Sequence, residues 1–201
     1  MGQTTPNDSL MPGWRQKSAA RLRAISAIGL LLFAARAGAQ PTLSDADVKA
    51  AYLFNFGKFM RIAAEPPQRA TFDICILGHD PIGPAIDQIA ANAAIDNRPV
   101  RVRRLGDATQ ARACQIVFIS PYEGEKMRED LAILMGADVL TVSDTPDFLD
   151  RGGMIEFVLQ GEHVRFKVNL NAVDRTHLVL SSELLRVAAA VEGKPLPGGR
   201  R

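Results

Sequence analysis

The side chains that most often carry out chemistry in proteins are sparse in this sequence. The three histidines, His79, His163 and His177, lack metal-ligand spacing, because none has another histidine or an acid four residues away on a clear helix. His79 and Asp80 are neighbours in a turn that follows an apolar segment. Ligands of α/β proteins bind beyond the ends of strands, so the turn from His79 to Gly83 is a candidate small-molecule site.

Known catalytic motifs are also missing from the sequence. There is no Gly-x-Ser-x-Gly elbow and no glycine-rich phosphate or dinucleotide loop. Ser181 and Ser182 precede an apolar helical pattern and fit a helix cap better than a nucleophile. The carboxylates are scattered along the chain. We therefore predict a protein that binds a partner, with no enzymatic activity, no cofactor and no metal.

The two cysteines, Cys75 and Cys114, allow two interpretations. In an oxidising compartment they favour one disulfide, which would add about 3–4 kcal/mol of stability by closing a long loop. They could also be two separate buried thiols, because free cysteine is common in protein cores. The residues alone leave both interpretations open.

The N-terminus carries the features of an export signal. A basic segment, residues 15–23, precedes an uncharged apolar run from Ala24 to Ala35 and a small-residue site at Ala37 to Ala39. This order predicts a secretory signal peptide, residues 1–39, cleaved after Ala39, and an exported protein. The apolar run is shorter than the roughly 20 residues that span a bilayer. A retained membrane anchor is the alternative.

Removal of this leader changes the charge of the chain. The leader holds five of the 24 Lys and Arg and one of the 22 Asp and Glu, which leaves 19 basic and 21 acidic residues and a net charge of −2. Nucleic-acid binding depends on a surplus of positive charge, so that function is not expected. Residues 40–192 are predicted to form one domain and residues 193–201 a disordered tail.

The first predicted helix begins at a capping box formed by Ser44 and Asp47. A stripe of apolar residues at helical spacing follows, namely Val48, Ala51, Tyr52, Phe56 and Phe59. Its aromatic members, Tyr52, Phe56 and Phe59, are a candidate surface for a partner or ligand. The alternative is a core helix whose stripe faces inward.

Apolar segments at residues 71–77, 115–120 and 139–142 predict buried strands, and helical patterns follow the first two. Their order predicts an α/β fold in which helices flank a mixed sheet. The stretch from Arg98 to Arg104 alternates, with Arg101 and Arg103 on one side. It is interpreted as a solvated strand whose cations discourage edge pairing, with an anion-binding strip as the alternative.

A β-hairpin is predicted from Ile155 to Leu170, followed by a C-terminal helix from Ser181 to Ala188. A turn at Gln160 and Gly161 would set its register. The expected pairs are Phe157 with Val164, Ile155 with Phe166, and Glu156 with Arg165. One side of the hairpin is then apolar. The other carries Glu156, His163, Arg165 and Lys167, which form a second candidate partner surface.

Several sequence blocks resemble the YfiR-like family of periplasmic proteins. In order, they are VKAAYLFNFGKF, FDICILGHDPIG, RPVRVRRL, CQIVFIS and GGMIEFV…VRFKVNLNAVDRTHLVLSSELLRVA. Together they run from about Val48 to Ala190. The resemblance implies a compact α/β domain, a disulfide between Cys75 and Cys114, and a tendency to form a homodimer. The family's further cysteines near the hairpin are absent, and Lys167 stands where many relatives carry an acid.

The resemblance also implies a function. A protein of this type inhibits a membrane-bound diguanylate cyclase through that enzyme's periplasmic sensor domain, and an outer-membrane lipoprotein can draw the inhibitor away. The target could instead be a sensor histidine kinase. A periplasmic small-ligand-binding protein is the remaining alternative.

Overall fold

A computed structural model describes residues 43–63, 69–121 and 124–193. The predicted signal peptide, and the predicted tail apart from Gly193, lie outside the described residues. The helices are α1 (Asp45–Phe59), α2 (Gly83–Ala90), α3 (Ala108–Ala111), α4 (Gly124–Leu134), α5 (Leu170–Val173) and α6 (Ser182–Val187). The strands are β1 (Met60–Ile62), β2 (Phe72–Leu77), β3 (Ala94–Ile95), β4 (Arg98–Leu105), β5 (Ile116–Ile119), β6 (Leu140–Ser143), β7 (Ile155–Gln160), β8 (His163–Asn169), β9 (Leu178–Leu180) and β10 (Ala190–Glu192).

The main sheet has eight strands in the order β10-β8-β7-β6-β5-β2-β4-β3. Its centre, from β4 to β7, is parallel, whereas β7 pairs antiparallel with β8 and β3 pairs antiparallel with β4. A separate antiparallel pair joins β1 to β9. The predicted fold class is therefore confirmed: one compact α/β domain with a mixed sheet, flanking helices and a hairpin followed by a helix.

Both faces of the sheet are covered, which explains the continuous apolar runs in the central strands. Successive side chains of a strand point to opposite faces. In β2, Ile74 and Ile76 accordingly join the core cluster that contains residues of α1, α2 and α6. Cys75 and Leu77 join a second cluster, which contains residues of α3 and α4. All six residues of β2 are buried.

Helix α1 begins as predicted, but the face that it buries is not the one marked by the predicted apolar stripe. The Ser44 side chain accepts a hydrogen bond from the Asp47 amide, and the Asp47 carboxylate accepts one from the Ser44 amide. The buried positions are Ala50, Leu53, Phe56 and Gly57. Phe59, the last helical residue, is 40% exposed. Helix α1 thus packs on the core, but Phe56 is the one member of the predicted stripe that is fully buried. The expectation that Phe56 lies on a surface is wrong, because its side chain is only 1% exposed.

The hairpin is present, but its predicted register is wrong by two residues. Phe157 pairs with Phe166, and Glu156 with Lys167. The turn lies at Gly161 and Glu162, because Gln160 pairs with His163. Gly161 adopts a φ of +64°, which suits the first central position of a type II′ turn. A shift of two residues keeps every side chain on its predicted face, since the side-chain period of a strand is two.

Short elements were the hardest to predict from the sequence. The last strand, β10, pairs in parallel with β8 although its three residues are all exposed. The predicted C-terminal helix is confirmed as α6, and the Ser181 side chain caps it by accepting a hydrogen bond from the Leu184 amide at 3.3 Å.

Across the described ranges, every helix is too short or too polar to cross a lipid bilayer.

Candidate functional site

The two cysteines form a disulfide inside the core. Their Cα atoms are 6.1 Å apart, a normal separation for a disulfide. Cys75 belongs to β2, and Cys114 lies two residues before the first residue of the neighbouring strand β5. Both residues are fully buried. This pair therefore crosslinks two central strands and presents no sulfur to a partner.

The predicted ligand site at His79 and Asp80 lies at the carboxyl end of β2, but internal contacts occupy the Asp80 carboxylate and the His79 carbonyl oxygen. The Asp80 carboxylate accepts hydrogen bonds from the Ile82 amide at 3.1 Å and from Arg104 Nε at 2.9 Å. The Ser120 hydroxyl donates to the His79 carbonyl oxygen. Neither His79 nor Asp80 lines any of the three cavities considered below.

The arginines of β4 are bound to aspartates, which argues against an anion-binding strip. Arg101 donates Nε and an amino group to the two carboxylate oxygens of Asp73, at 3.0 and 2.6 Å. Arg103 lies 3.6 Å from the same carboxylate. Arg104 makes two hydrogen bonds to Asp87 in addition to its contact with Asp80. These contacts link β4 to β2 and α2.

The Asp73 carboxyl has a shifted pKa. Burial raises it, but hydrogen bonds from Arg101 and Thr71 and the charges of Arg101 and Arg103 outweigh that effect and hold the pKa below its ordinary value of 3.8. A group whose pKa is lower in the folded state contributes stability above its unfolded pKa. That contribution is lost as the pH falls through the folded pKa.

We expect Asp73→Asn to lower the free energy of unfolding by about 1–3 kcal/mol at pH 7, because a charge-assisted hydrogen-bond pair is lost. The difference from the wild type should shrink below pH 3.8, where the wild-type carboxylate begins to be protonated. Urea denaturation at several pH values measures this. Asp174→Asn, at an exposed aspartate, is the control. A wild-type advantage that stays constant down to pH 2 would contradict the assignment.

The charged side of the hairpin is less accessible than predicted. Glu156 is only 6% exposed, so its assignment to a partner surface is wrong. The carboxylate turns inward to accept a hydrogen bond from the Leu149 amide at 3.3 Å, and it lies 4.0 Å from Lys167 Nζ. Arg165 donates to the Val187 carbonyl oxygen at 3.1 Å. Arg165 and Lys167 are both half-buried.

An open apolar groove lies between α1 and α2. Its volume is about 540 Å³. Its walls include Val48, Ala51, Tyr52, Ala85 and Ile89, with Leu43 at one end and Asp47, Asn55 and Gln88 as polar lining residues. Leu43 is 76% exposed. We call this set the α1–α2 groove.

Of the residues predicted to contact a partner, Tyr52 is the one that lines the α1–α2 groove. Its ring packs 5.8 Å from Phe56 and 5.2 Å from Phe166, measured between centroids. The core therefore holds Tyr52 in place while part of the side chain lines the groove. Phe56 lies beneath it in the core, and Phe59 is exposed but is not among the lining residues.

Two further cavities lie elsewhere. One, of about 330 Å³, is beside the hairpin and is lined by Lys49, Asp144 and apolar residues of β7 and β8. Lys49 Nζ and the Asp144 carboxylate form an ion pair at 2.7 Å. The other, of about 390 Å³, is next to α4 and α5.

The structure also pairs a histidine with an acid that the sequence does not connect. His177 Nδ1 lies 3.1 Å from both carboxylate oxygens of Asp138. The two residues are 39 positions apart, so no local spacing signals the contact. In the parts of the chain that the structure describes, no three His, Cys, Asp or Glu side chains come together as a metal site.

Comparison with known proteins gives one decisive match, which covers residues 46–189. The chain belongs to the YfiR/HmsC-like family. The resemblance read from the sequence blocks is thus confirmed. This is a family of periplasmic regulators in cyclic di-GMP signalling and not of enzymes. No curated protein matches the sequence significantly.

A solved structure supports the fold of this YfiR/HmsC-like chain. It is the crystal structure of a conserved domain protein from Vibrio cholerae O1 biovar eltor, with a TM-score of 0.52 and 8% sequence identity. The match covers 74% of this chain and 60% of that one. At this identity the similarity concerns the fold alone.

Proposed function

We propose that this protein inhibits a membrane-bound signalling enzyme, a diguanylate cyclase, by binding that enzyme's periplasmic sensor domain. It would do so without converting a substrate. Membership of the YfiR/HmsC-like family and the export signal predicted at residues 1–39 support this proposal. An outer-membrane lipoprotein would relieve the inhibition by competing for the inhibitor, and the inhibitor itself would act as a homodimer.

The observation that carries the proposal is the α1–α2 groove. Apolar side chains contributed by two helices, with polar residues alongside, suit the apolar face of a partner helix. The capping contacts of Ser44 lower the pKa of the Asp47 carboxyl, so this lining residue is ionised at neutral pH. A partner helix would therefore place apolar residues against Tyr52 and Ile89 and a basic residue near Asp47.

We expect deletion of the gene to raise cellular cyclic di-GMP, and complementation with the wild-type gene to restore the lower level. Complementation with Leu43→Glu or Ala51→Glu should fail, because each places a charge in the apolar groove, where an unpaired charge is costly to bury. Quantification of cyclic di-GMP in cell extracts measures this.

The matched control is Val179→Glu, which puts the same charge on a side chain that is 53% exposed but lies outside the groove. It should complement like the wild type, and immunoblots of periplasmic fractions should find all three variants at equal amounts. An unchanged cyclic di-GMP level after deletion counts against a cyclase as the target. Full complementation by both groove variants counts against the groove as the contact surface.

A further inference from the structure

Three arginines surround the cavity of about 390 Å³ next to α4 and α5. Arg128 comes from α4, Arg151 from the loop between β6 and β7, and Arg175 from the segment after α5. These segments are distant in sequence and meet only in the fold. Arg151 and Arg175 thus bring two like charges to the lining of one cavity, and like charges repel one another unless an anion lies between them.

The charge of this cavity is not balanced by its own lining. Asp150 is the only acid among its lining residues. Across residues 43–63, 69–121 and 124–193, no ion pair involves the guanidinium of Arg151 or of Arg175. The arginines of β4 differ, because Arg101 and Arg104 each bind carboxylates of the same chain.

The floor of the cavity is built from buried residues. Thr141 is 3% exposed, and its hydroxyl oxygen accepts a hydrogen bond from the Met154 amide at 3.1 Å. The hydroxyl proton finds no acceptor among the described residues, so it is available to a ligand. Buried apolar side chains complete the floor: Leu134, Leu149 and Met154. Met135, 64% exposed, also lines the cavity.

We propose that this cavity binds a small organic anion, an oxyanion head group attached to a short apolar body. Guanidinium forks match the two oxygens of a carboxylate or phosphoryl group. Arg151 and Arg175 would hold the head group, while Leu134, Met135 and Met154 would contact the apolar body. The volume lies within the usual range for small-molecule sites, about 300–1,000 Å³.

This inference goes beyond the proposed function and does not depend on it. The cavity shares no lining residue with the α1–α2 groove. A purified chain can therefore bind the anion whether or not the target is a diguanylate cyclase, and the two proposals can fail separately.

The experiment is isothermal titration of the purified protein with four probes. Octanoate and octyl phosphate carry both the oxyanion and the apolar body, and the tighter of the two identifies the preferred head group. Acetate carries the charge alone, and octylammonium carries the apolar body with the opposite charge. We expect saturable binding of octanoate or octyl phosphate, with acetate and octylammonium binding far more weakly.

The double variant Arg151→Gln/Arg175→Gln should bind the preferred probe about tenfold to a hundredfold more weakly, since two charge-assisted contacts are lost. Arg186→Gln, at an exposed arginine of α6 outside the cavity, should bind like the wild type. The two arginines replaced in the double variant lie on the surface, and thermal unfolding checks that the variants fold. The proposal is overturned if neither long-chain anion binds, if octylammonium binds equally well, or if the double variant retains wild-type affinity.

Discussion

Phe56→Ala is expected to lower the free energy of unfolding by about 3–5 kcal/mol, one of the two largest effects we predict for this chain. Phe56 is 1% exposed, and its ring lies 4.9 Å from Phe166, 5.9 Å from Phe157 and 5.8 Å from Tyr52, measured between centroids. The substitution removes one of the two α1 rings, Phe56 and Tyr52, that pack against the hairpin. A cavity remains, because the surrounding side chains relax only partly.

Phe59→Ala is the matched control, since it makes the same chemical change three residues later on the same helix. Phe59 is 40% exposed, so we expect a loss of less than about 1 kcal/mol. Urea denaturation compares the free energies of unfolding of the two variants with that of the wild type, provided that all three proteins have the same m-value. Equal losses at the two positions would mean that α1 is rotated relative to the orientation described above.

Replacement of both cysteines, Cys75→Ala/Cys114→Ala, is expected to cost about 3–4 kcal/mol. The crosslink closes a loop with a sequence separation of 39 residues, and its loss enlarges the unfolded ensemble. Loss of the buried sulfur atoms adds a packing cost of the same sign. Chemical denaturation of the oxidised wild type and the double variant measures the difference.

A reductant provides the matched control for the disulfide. Because both cysteines are fully buried, a reductant should reach the disulfide only when the chain opens. Denaturation in the presence of reductant should therefore bring the wild type close to the double variant, and the double variant itself should not respond. A wild type that loses no stability under reducing denaturation would contradict a stabilising role for this bond.

The features that the sequence predicted correctly depend on neighbouring residues. The capping box at Ser44 and Asp47 needs only four consecutive residues, and the buried strand β2 needs only its own apolar run. The hairpin faces followed from alternation. Its register did not, because two turns one residue apart satisfy the same pattern, and the pairing of Gln160 with His163 in the folded chain distinguishes them.

Features that depend on distant residues were missed for a physical reason. Glu156 looked solvent-exposed, yet the loop at Leu149 covers it and donates a hydrogen bond. The arginines that line the cavity next to α4 and α5 belong to three segments, and no regular spacing in the sequence connects them. The α1–α2 groove was only partly anticipated through Tyr52, because its second wall is a helix more than 30 residues later. Such arrangements become visible only when the chain is folded.

Both borders of the eight-stranded sheet are very short: β3 has two residues and β10 has three. Because β3 pairs only with Arg98 and Pro99, the rest of that border is formed by β4 itself, where the charges of Arg101, Arg103 and Arg104 discourage pairing with another strand. Very short edge strands and charged edge residues of this kind protect a protein against edge-to-edge aggregation.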